Sequence, residues 1–454
     1  MAKKAKKIKT KKGLKLAVVN TNAAGIDVSS TEMQVCVPED RAEDNNRCFG
    51  VFTEDLDEIC FWLKSCKIDT VAMESTGIYW IPLFMALVSF GFDVLLVNAK
   101  AIKNIGEKKT DEVDAEWIML LHSYGLLKAS FQPCNEARRI RNLSRHRKNL
   151  IKSSSREILH MQKSMEQMNL KLNNVISDIT GKSGQMIISA IISGERDPAK
   201  LSQLADPRCH ASKKDIEKSL EGKWDEDLLF ILEQSYELYI YLSRQIQDCD
   251  KQIESILDAY QTMVNQGEQT PECQRCNKQR ARKNYVAMDI EQYAYQIWGV
   301  NIMRISGISE TTVLNLIGEL GHDFVDKFDS YKQFCCWCNV TPNNKISGGK
   351  LLSSKVPKRK NPTGLIFRTA ANSLRTSKSP LGEYFRRTQA RKGYIPAIIA
   401  TANKLAKIIY TMVKNKTEYD ENLLKINDEK MLRYKLSRAQ RTVEKLKEQL
   451  DDVA

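Results

Sequence analysis

The chain has 454 residues, 42% hydrophobic and 28% charged, with a formal net charge of +14. That length carries two or three domains with real cores, and the composition is that of a soluble globular protein rather than a small disulfide-stapled one. The basic excess favours a polyanionic partner, nucleic acid being the commonest, although a protein that is merely soluble and basic would carry the same charge.

Residues 1–20 read as a lysine-rich arm, MAKKAKKIKTKKGLK, without fixed structure. No apolar segment with a small-residue cleavage site follows it, so no secretory signal is expected. From 21 to 132 strands and helices alternate. AAGIDVSS, MQVCV and CFGVF read as strands, DLDEICFWLKSCK as an amphipathic helix and TVAMES as a short buried strand. IYWIPLFMALVSFG then reads as a buried helix and DVLLVNA as a strand. After the polar loop KNIGEKK, DEVDAEWIMLLHSYGLL reads as a helix. The uncharged run from Ser75 to Phe92 approaches membrane-spanning length, but Pro82 interrupts it and Gly91 closes it, so no membrane span is expected. Three early strands followed by alternating helix and strand is the ribonuclease-H-like order, and the expected class is an α/β RuvC-like domain.

Residues 133–262 read as a helical coiled-coil region. Ile140, Leu143, Leu150, Ile158, Met161, Met165, Met168 and Leu172 keep approximate heptad spacing, as do Tyr239, Leu242, Ile246, Cys249, Ile253, Ile256 and Tyr260. Two such helices predict an antiparallel pair, within one chain or across a dimer. The first is basic, and Arg139, Arg145, Arg147 and Lys148 are candidates for contact with nucleic-acid phosphates. Residues 263–284 form a polar, Gln-rich linker, and 285–418 a mainly α C-terminal domain. There MRISGISETTVLNLIGELG reads as a helix-hairpin-helix, or equally an ordinary pair of helices. Residues 419–454 hold a heptad helix through Leu432, Leu436, Ala439, Val443, Leu446 and Leu450.

Four acids carry the chemistry. Asp27 in GIDVSS and Glu74 in MESTG end apolar, strand-like runs, and Asp111 and Asp114 in KKTDEVDA lie three apart at a helix start. Each alone could be a solvated charge, and the last two also suit a helix N-terminus. Together they are the hard oxygen set that holds Mg2+ or Mn2+ for phosphodiester chemistry.

In the C-terminal domain, Ser347 lies in a flexible Ser-Gly-Gly loop rimmed by Lys345, Lys350, Lys355, Lys358, Arg359 and Lys360, with Ser353 and Ser354 as competing serines nearby. A serine is a weak nucleophile without a base or metal, and from the residues alone a basic-loop serine is the simpler reading. Arg368, Arg375, Arg386, Arg387 and Arg391 follow on or near helices, as a solvated basic face or a backbone track. The twelve cysteines are expected as reduced cytoplasmic thiols. Cys273/Cys276 and Cys335/Cys338 have the spacing of a zinc site, but CCWC reads as small core residues in a helix, and structural zinc there is not expected.

Taken together these blocks resemble the insertion sequence one-hundred-and-ten (Piv-type) DEDD transposases, the bridge-RNA-guided serine recombinases, over residues 23–415. GIDVSS, MESTG and KKTDEVDA are similar to the family's N-terminal blocks. RIRNLSRHRKNLI is similar to its middle helices, and GISETTVLNLIGELG, TPNNKISGGK and NSLRTSKSPLGEYFRRTQARKG to its C-terminal domain. The resemblance implies that Asp27, Glu74, Asp111 and Asp114 bind magnesium and that Ser347 attacks a DNA phosphate. It also implies a structured guide RNA pairing with donor and target DNA, a dimer or tetramer, and a nucleoid-associated prokaryotic enzyme. The chain departs from the family pattern at GIS, at NVTP and at Asn403. A water-using RuvC-like junction nuclease and an inactive nucleic-acid-binding scaffold are the alternatives.

Overall fold

The computed structural model describes residues 17–98, 111–266, 272–276, 284–357, 361–424, 436–437 and 439–444, with backbone alone at 111–113, 423 and 424. The expected basic arm up to residue 16, the loop KNIGEKK, and parts of the Gln-rich linker and heptad tail lie outside the described residues. The chain divides into two compact units, Met1–Gln132 and Pro133–Ala454.

The first unit is built on strands β1 (Ala23–Val28), β2 (Met33–Cys36), β3 (Asn46–Phe49), β4 (Thr70–Glu74) and β5 (Asp93–Val97). They form one sheet in the order β3-β2-β1-β4-β5. β1, β2 and β3 are antiparallel neighbours, whereas β4 runs parallel to β1 and β5 parallel to β4. Three helices accompany them: α1 (Thr53–Ser65), α2 (Trp80–Ser89) and α3 (Asp111–Ser123). This mixed sheet is compatible with the expected RuvC-like class.

Side chains alternate across a strand, and here the two faces meet different helices. Ala24, Ile26 and Val28 join Val71 and Met73 in a core with Leu56, Ile59 and Leu63 of α1 and Leu83 and Leu87 of α2. The buried residues of α1 recur at helical spacing, which places its apolar stripe on the sheet. On the opposite face, Ala72 and Val97 pack with Ile118, and Cys36 with Ala115 and Met119 of α3. Gly25 belongs to this second face. A Cβ there would lie 2.2 Å from Met119 N and 2.4 Å from Ala115 O, so the helix backbone rests directly on the strand.

α2 differs from the buried helix expected of its apolar run. Leu83 and Leu87 are fully buried, but Ile78 and Tyr79 just before it, and Met85 and Val88 within it, are exposed. An apolar composition does not decide how many faces are covered.

In the second unit, α4 (Asn135–Gln167) and α9 (Glu226–Val264) pack side by side. Cys134, just before α4, reaches Tyr260 near the end of α9, Cys249 Sγ donates to Leu143 O at 3.4 Å, and Arg147 pairs with Asp250. Contacts that descend along one helix as they ascend the other make the pair antiparallel, formed within one chain. Between them α5 (Leu172–Val175), α6 (Lys182–Ile192), α7 (Pro198–Gln203) and α8 (Lys213–Ser219) close over a core of Met161, Met165, Ile187, Ile188, Leu201 and Leu232.

The C-terminal part contains α10 (Ile290–Trp298), α11 (Glu310–Leu320), α12 (Tyr331–Trp337), α13 (Pro362–Ser373), α14 (Pro380–Lys392) and α15 (Tyr394–Asn415). Ser309, Ser330, Asn361 and Ser379 each accept a backbone N–H at a helix start, and Pro362 and Pro380 occupy first-turn positions. Phe334 centres the core, 5.3 Å from Phe324 and 5.7 Å from Tyr410 between ring centroids. Two local expectations change. The segment before the SGIS turn is a single 3-10 turn, Ile302–Arg304, separated from α10 by Gly299 in the left-handed region, not a full helix. The Ser-Gly-Gly loop is the tip of a hairpin, β6 (Lys345–Ser347) and β7 (Lys350–Ser353).

Candidate active site and nucleic-acid interface

The sheet register places Asp27 and Glu74 side by side. Ile26 pairs with Met73 in the parallel β1–β4 ladder, so Asp27 and Glu74, each one residue further on, end adjacent strands at the same level. Adjacent strands lie about 4.8 Å apart, and residues in register share a face. Asp27 is two residues from Gly25, and Glu74 two from Ala72; both acids therefore project to the face that α3 covers. α3 runs opposite to β1. The chain at Val19 and Asn20 bonds to Ser123 O, whereas Gly25 meets Ala115 and Met119. Continuing that direction brings Asp27 toward the start of the helix, where Asp114 sits. Asp111 is the first residue of α3, and its side chain lies outside the described residues.

Glu74 is 5% exposed and accepts a hydrogen bond from Thr76 Oγ1 at 2.8 Å. Among the described residues it has no cationic partner, and a buried carboxylate without one is costly. Asp27 Oδ1 accepts from the Val28 N–H at 3.1 Å, and Asp27 and Asp114 are half-buried. Asp27 and Glu74 share one face and one level of the sheet, and with Asp114 their oxygens do not all lie within 4.8 Å of one another. Carboxylate oxygens are the ligands a hard divalent cation takes. Thr76 was not singled out from sequence. Its signal was a hydroxyl two residues beyond the acid.

Ser347 ends β6. It pairs with Lys350 across Gly348 and Gly349, both at positive φ (54° and 76°), a two-residue turn that only glycine forms easily. The serine is therefore presented at the corner of a hairpin, and Lys345, Ile346, Lys350, Leu351 and Lys355 around it are all exposed. Lys358 and Arg359 lie outside the described residues. From Ser330 to Lys416 the sequence carries eighteen lysines and arginines and a single acid, Glu383. The hairpin thus stands within a long, almost wholly cationic stretch of the sequence.

The other basic candidates divide. Arg147 is 2% exposed, bonded to Asp250 at 2.5 and 3.1 Å and to Tyr285 O at 2.8 Å. It ties helices together and is not a surface contact, which corrects the expectation from sequence. Arg145 pairs with Glu319 at 2.7 Å, and Arg141 lies 3.4 Å from the same carboxylate. Arg139 and Lys148 are exposed on α4. Arg145 and Lys148 line a groove of about 490 Å³ with Ser309 and Thr312 at the start of α11 and Thr369 of α13. Helix N-terminal amides and cations on one groove suit phosphate.

Arg375, Arg387 and Arg391 are exposed. Arg386 is exposed too but donates to Ser377 O at 2.5 Å, and Arg368 donates to Asn339 O at 2.5 Å, so both partly serve the fold. Burial and then Arg387 and Lys407 push the Lys404 ammonium below its ordinary value, a mark of crowded cations. Of the CxxC pairs, Cys335 Sγ points to Asn403 O at 3.8 Å and Cys338 is buried. Burial pushes the Cys273 thiol up to about 11 and Cys335 up to about 12.

Acids near the ends of two adjacent parallel strands, with a strongly basic helical unit in the same chain, suit a protein that acts on nucleic acid. A family model described as a transposase, that of the IS110 DEDD transposases, matches residues 24–170. A second, described as transposase IS116/IS110/IS902 family, matches residues 300–385. Together they cover more than half of the sequence, and the chain belongs to the IS110 family of transposases. It is thus an enzyme acting on DNA, of a family whose DEDD domain points to dependence on a divalent metal. No curated protein matches the chain. Among the described residues no helix is long and apolar enough to cross a membrane.

Proposed function

We propose that this transposase cuts, exchanges and rejoins DNA strands through a covalent phosphoserine at Ser347, guided by a structured noncoding RNA that pairs with donor and target DNA. The observation that carries the reading is the shared level and face of Asp27 and Glu74 opposite the start of α3. Asp27, Glu74, Asp111 and Asp114 would hold Mg2+ or Mn2+, which when bound would neutralise charge on the phosphate and favour a deprotonated nucleophile. Ser347 Oγ attacks phosphorus, its proton leaves to solvent or a base, and the 3′ or 5′ oxygen of the cut strand departs. The phosphodiester energy stays in the serine ester, so rejoining needs no nucleotide cofactor. Exposed cations around the hairpin, on α4 and on α14 hold nucleic-acid backbones, and base pairing supplies sequence choice. The paired middle helices serve a dimer or tetramer acting on nucleoid DNA in the cytoplasm of a prokaryotic host.

The test uses DNA recovered with full-length protein and sequencing of co-purified RNA. Ser347→Ala should abolish the covalent protein–DNA adduct, and Asp27→Ala should abolish cleavage. If Ser347→Ala still cuts, water is the nucleophile and the site is that of a junction nuclease. Recovery of random host RNA alone removes the guided reading while leaving the chemistry.

A further inference from the structure

Cys134, His322 and Asp323 have no part in the reaction proposed above. Cys134 immediately precedes α4, and His322 and Asp323 follow Gly321 at the end of α11. One donor atom from each of the three lies within 4.8 Å of the other two. Ligands around a tetrahedral zinc ion sit roughly 3.5 Å apart, so a small side-chain adjustment closes the set.

Two independent observations point into this cluster. Among the described residues Asp323 Oδ1 is buried without a hydrogen-bond partner, although its other oxygen pairs with Lys327 Nζ at 2.8 Å. A buried carboxylate oxygen in that state wants a cation or a donor. Gly321, at φ +75°, leaves a bare spot before the donors. A Cβ there would stand 3.3 Å from Asp323 Oδ1 and 3.4 Å from Cys134 Sγ. Tyr260 Oη lies 3.1 Å from Cys134 Sγ and 3.0 Å from His322 Nδ1, and accepts the His322 backbone N–H at 2.7 Å. The phenol thus holds thiol and imidazole side by side. Burial and the neighbouring thiol keep it above its ordinary pKa, a neutral hydroxyl.

We propose that Cys134, His322 and Asp323 form a binding site for a zinc-class transition metal, clamping the start of α4 to the segment after α11. Thiolate, imidazole and carboxylate are the donor mixture such ions prefer, and water completes four-coordination. On binding, the Cys134 thiol releases its proton to solvent as the sulfur–metal bond forms. The site is separate in chemistry from the all-carboxylate set of the first unit, and it uses none of the CxxC cysteines.

Chelator-washed full-length protein titrated with Co2+ in excess Mg2+ tests this, because only a sulfur ligand gives near-ultraviolet thiolate-to-cobalt charge transfer. The expected result is a band saturating at one equivalent per chain and lost on adding Zn2+. Cys134→Ser should abolish it, and His322→Gln should weaken affinity about tenfold or more. Asp27→Asn and Cys335→Ser should leave it intact. Zinc should also raise the melting temperature of the parent protein but not of Cys134→Ser, whose metal-free melting shows whether it is folded. Absence of the band in the parent protein overturns the proposal. So does a band that survives both Cys134→Ser and His322→Gln.

Discussion

Arg147 shows how one residue can belong to a basic sequence and yet not to a basic surface. Its guanidinium is enclosed between α4 and α9, with both Asp250 oxygens and Tyr285 O as partners. Removing one partner of a buried ion pair leaves the other charged and desolvated, at a cost of about 3–5 kcal/mol. Arg147→Ala should therefore lower the melting temperature sharply, with Asp250 stranded in the helix pair. Arg139→Ala, on an exposed position of the same helix, should leave stability within about 0.5 kcal/mol. Thermal unfolding of both variants checks this; equal, small effects would mean the pair contributes nothing. In sequence the two arginines look alike because heptad spacing gives a helix its apolar seam. It does not say which flanking cation folds inward against an acid more than a hundred positions away.

At the scale of elements, the candidate metal edge depends on how closely α3 lies on β1. The backbone atoms of Ala115 and Met119 occupy the space where a side chain of residue 25 would stand. Gly25→Ala must push the helix away, and since the obstruction is backbone the strain should exceed the usual overpacking cost of about 1–3 kcal/mol. The expected outcome is a destabilised first unit and lost metal-dependent cleavage with all four acids still present. Gly348→Ala is the contrast. It faces open space, and its cost is the left-handed conformation alone, about 1–2 kcal/mol. Circular dichroism melts with a cleavage assay separate the two; unimpaired cleavage by Gly25→Ala would refute the close-packing argument. The strands and their terminal acids were legible because alternation and charge placement are local signals. The close approach at Gly25 was not, since a glycine inside GIDVSS looks the same whether or not a helix sits on it. α2 was misjudged for a related reason: an apolar run reports composition, and only its neighbours decide which faces are covered. The KISGGKLL hairpin was written in its two central glycines, but strands this short and this polar at their ends resemble a loop.

Over the whole molecule, charge is divided as unevenly as chemistry. Residues 1–132 carry 17 lysines and arginines against 18 acids, eight of those lysines in the first 16 positions. Residues 133–454 carry 53 against 38. The net +14 therefore arises in the second unit, while the body of the first is acidic. Phosphate contacts should then be concentrated in the second unit, and each releases counterions when it forms. The slope of log affinity against log salt should fall by about 0.9 per lost contact on duplex DNA, or about 0.7 on a single strand. Lys345→Ala, Lys350→Ala and Lys355→Ala combined should reduce that slope by about two to three, with weakening nearly uniform across sequences. Replacing an equal number of lysines on the first unit, Lys64, Lys67 and Lys128, should change it by less than about one. Binding measured across a salt series in full-length variants decides this, and equal slopes for the two triple variants would show that the nucleic acid does not follow the hairpin.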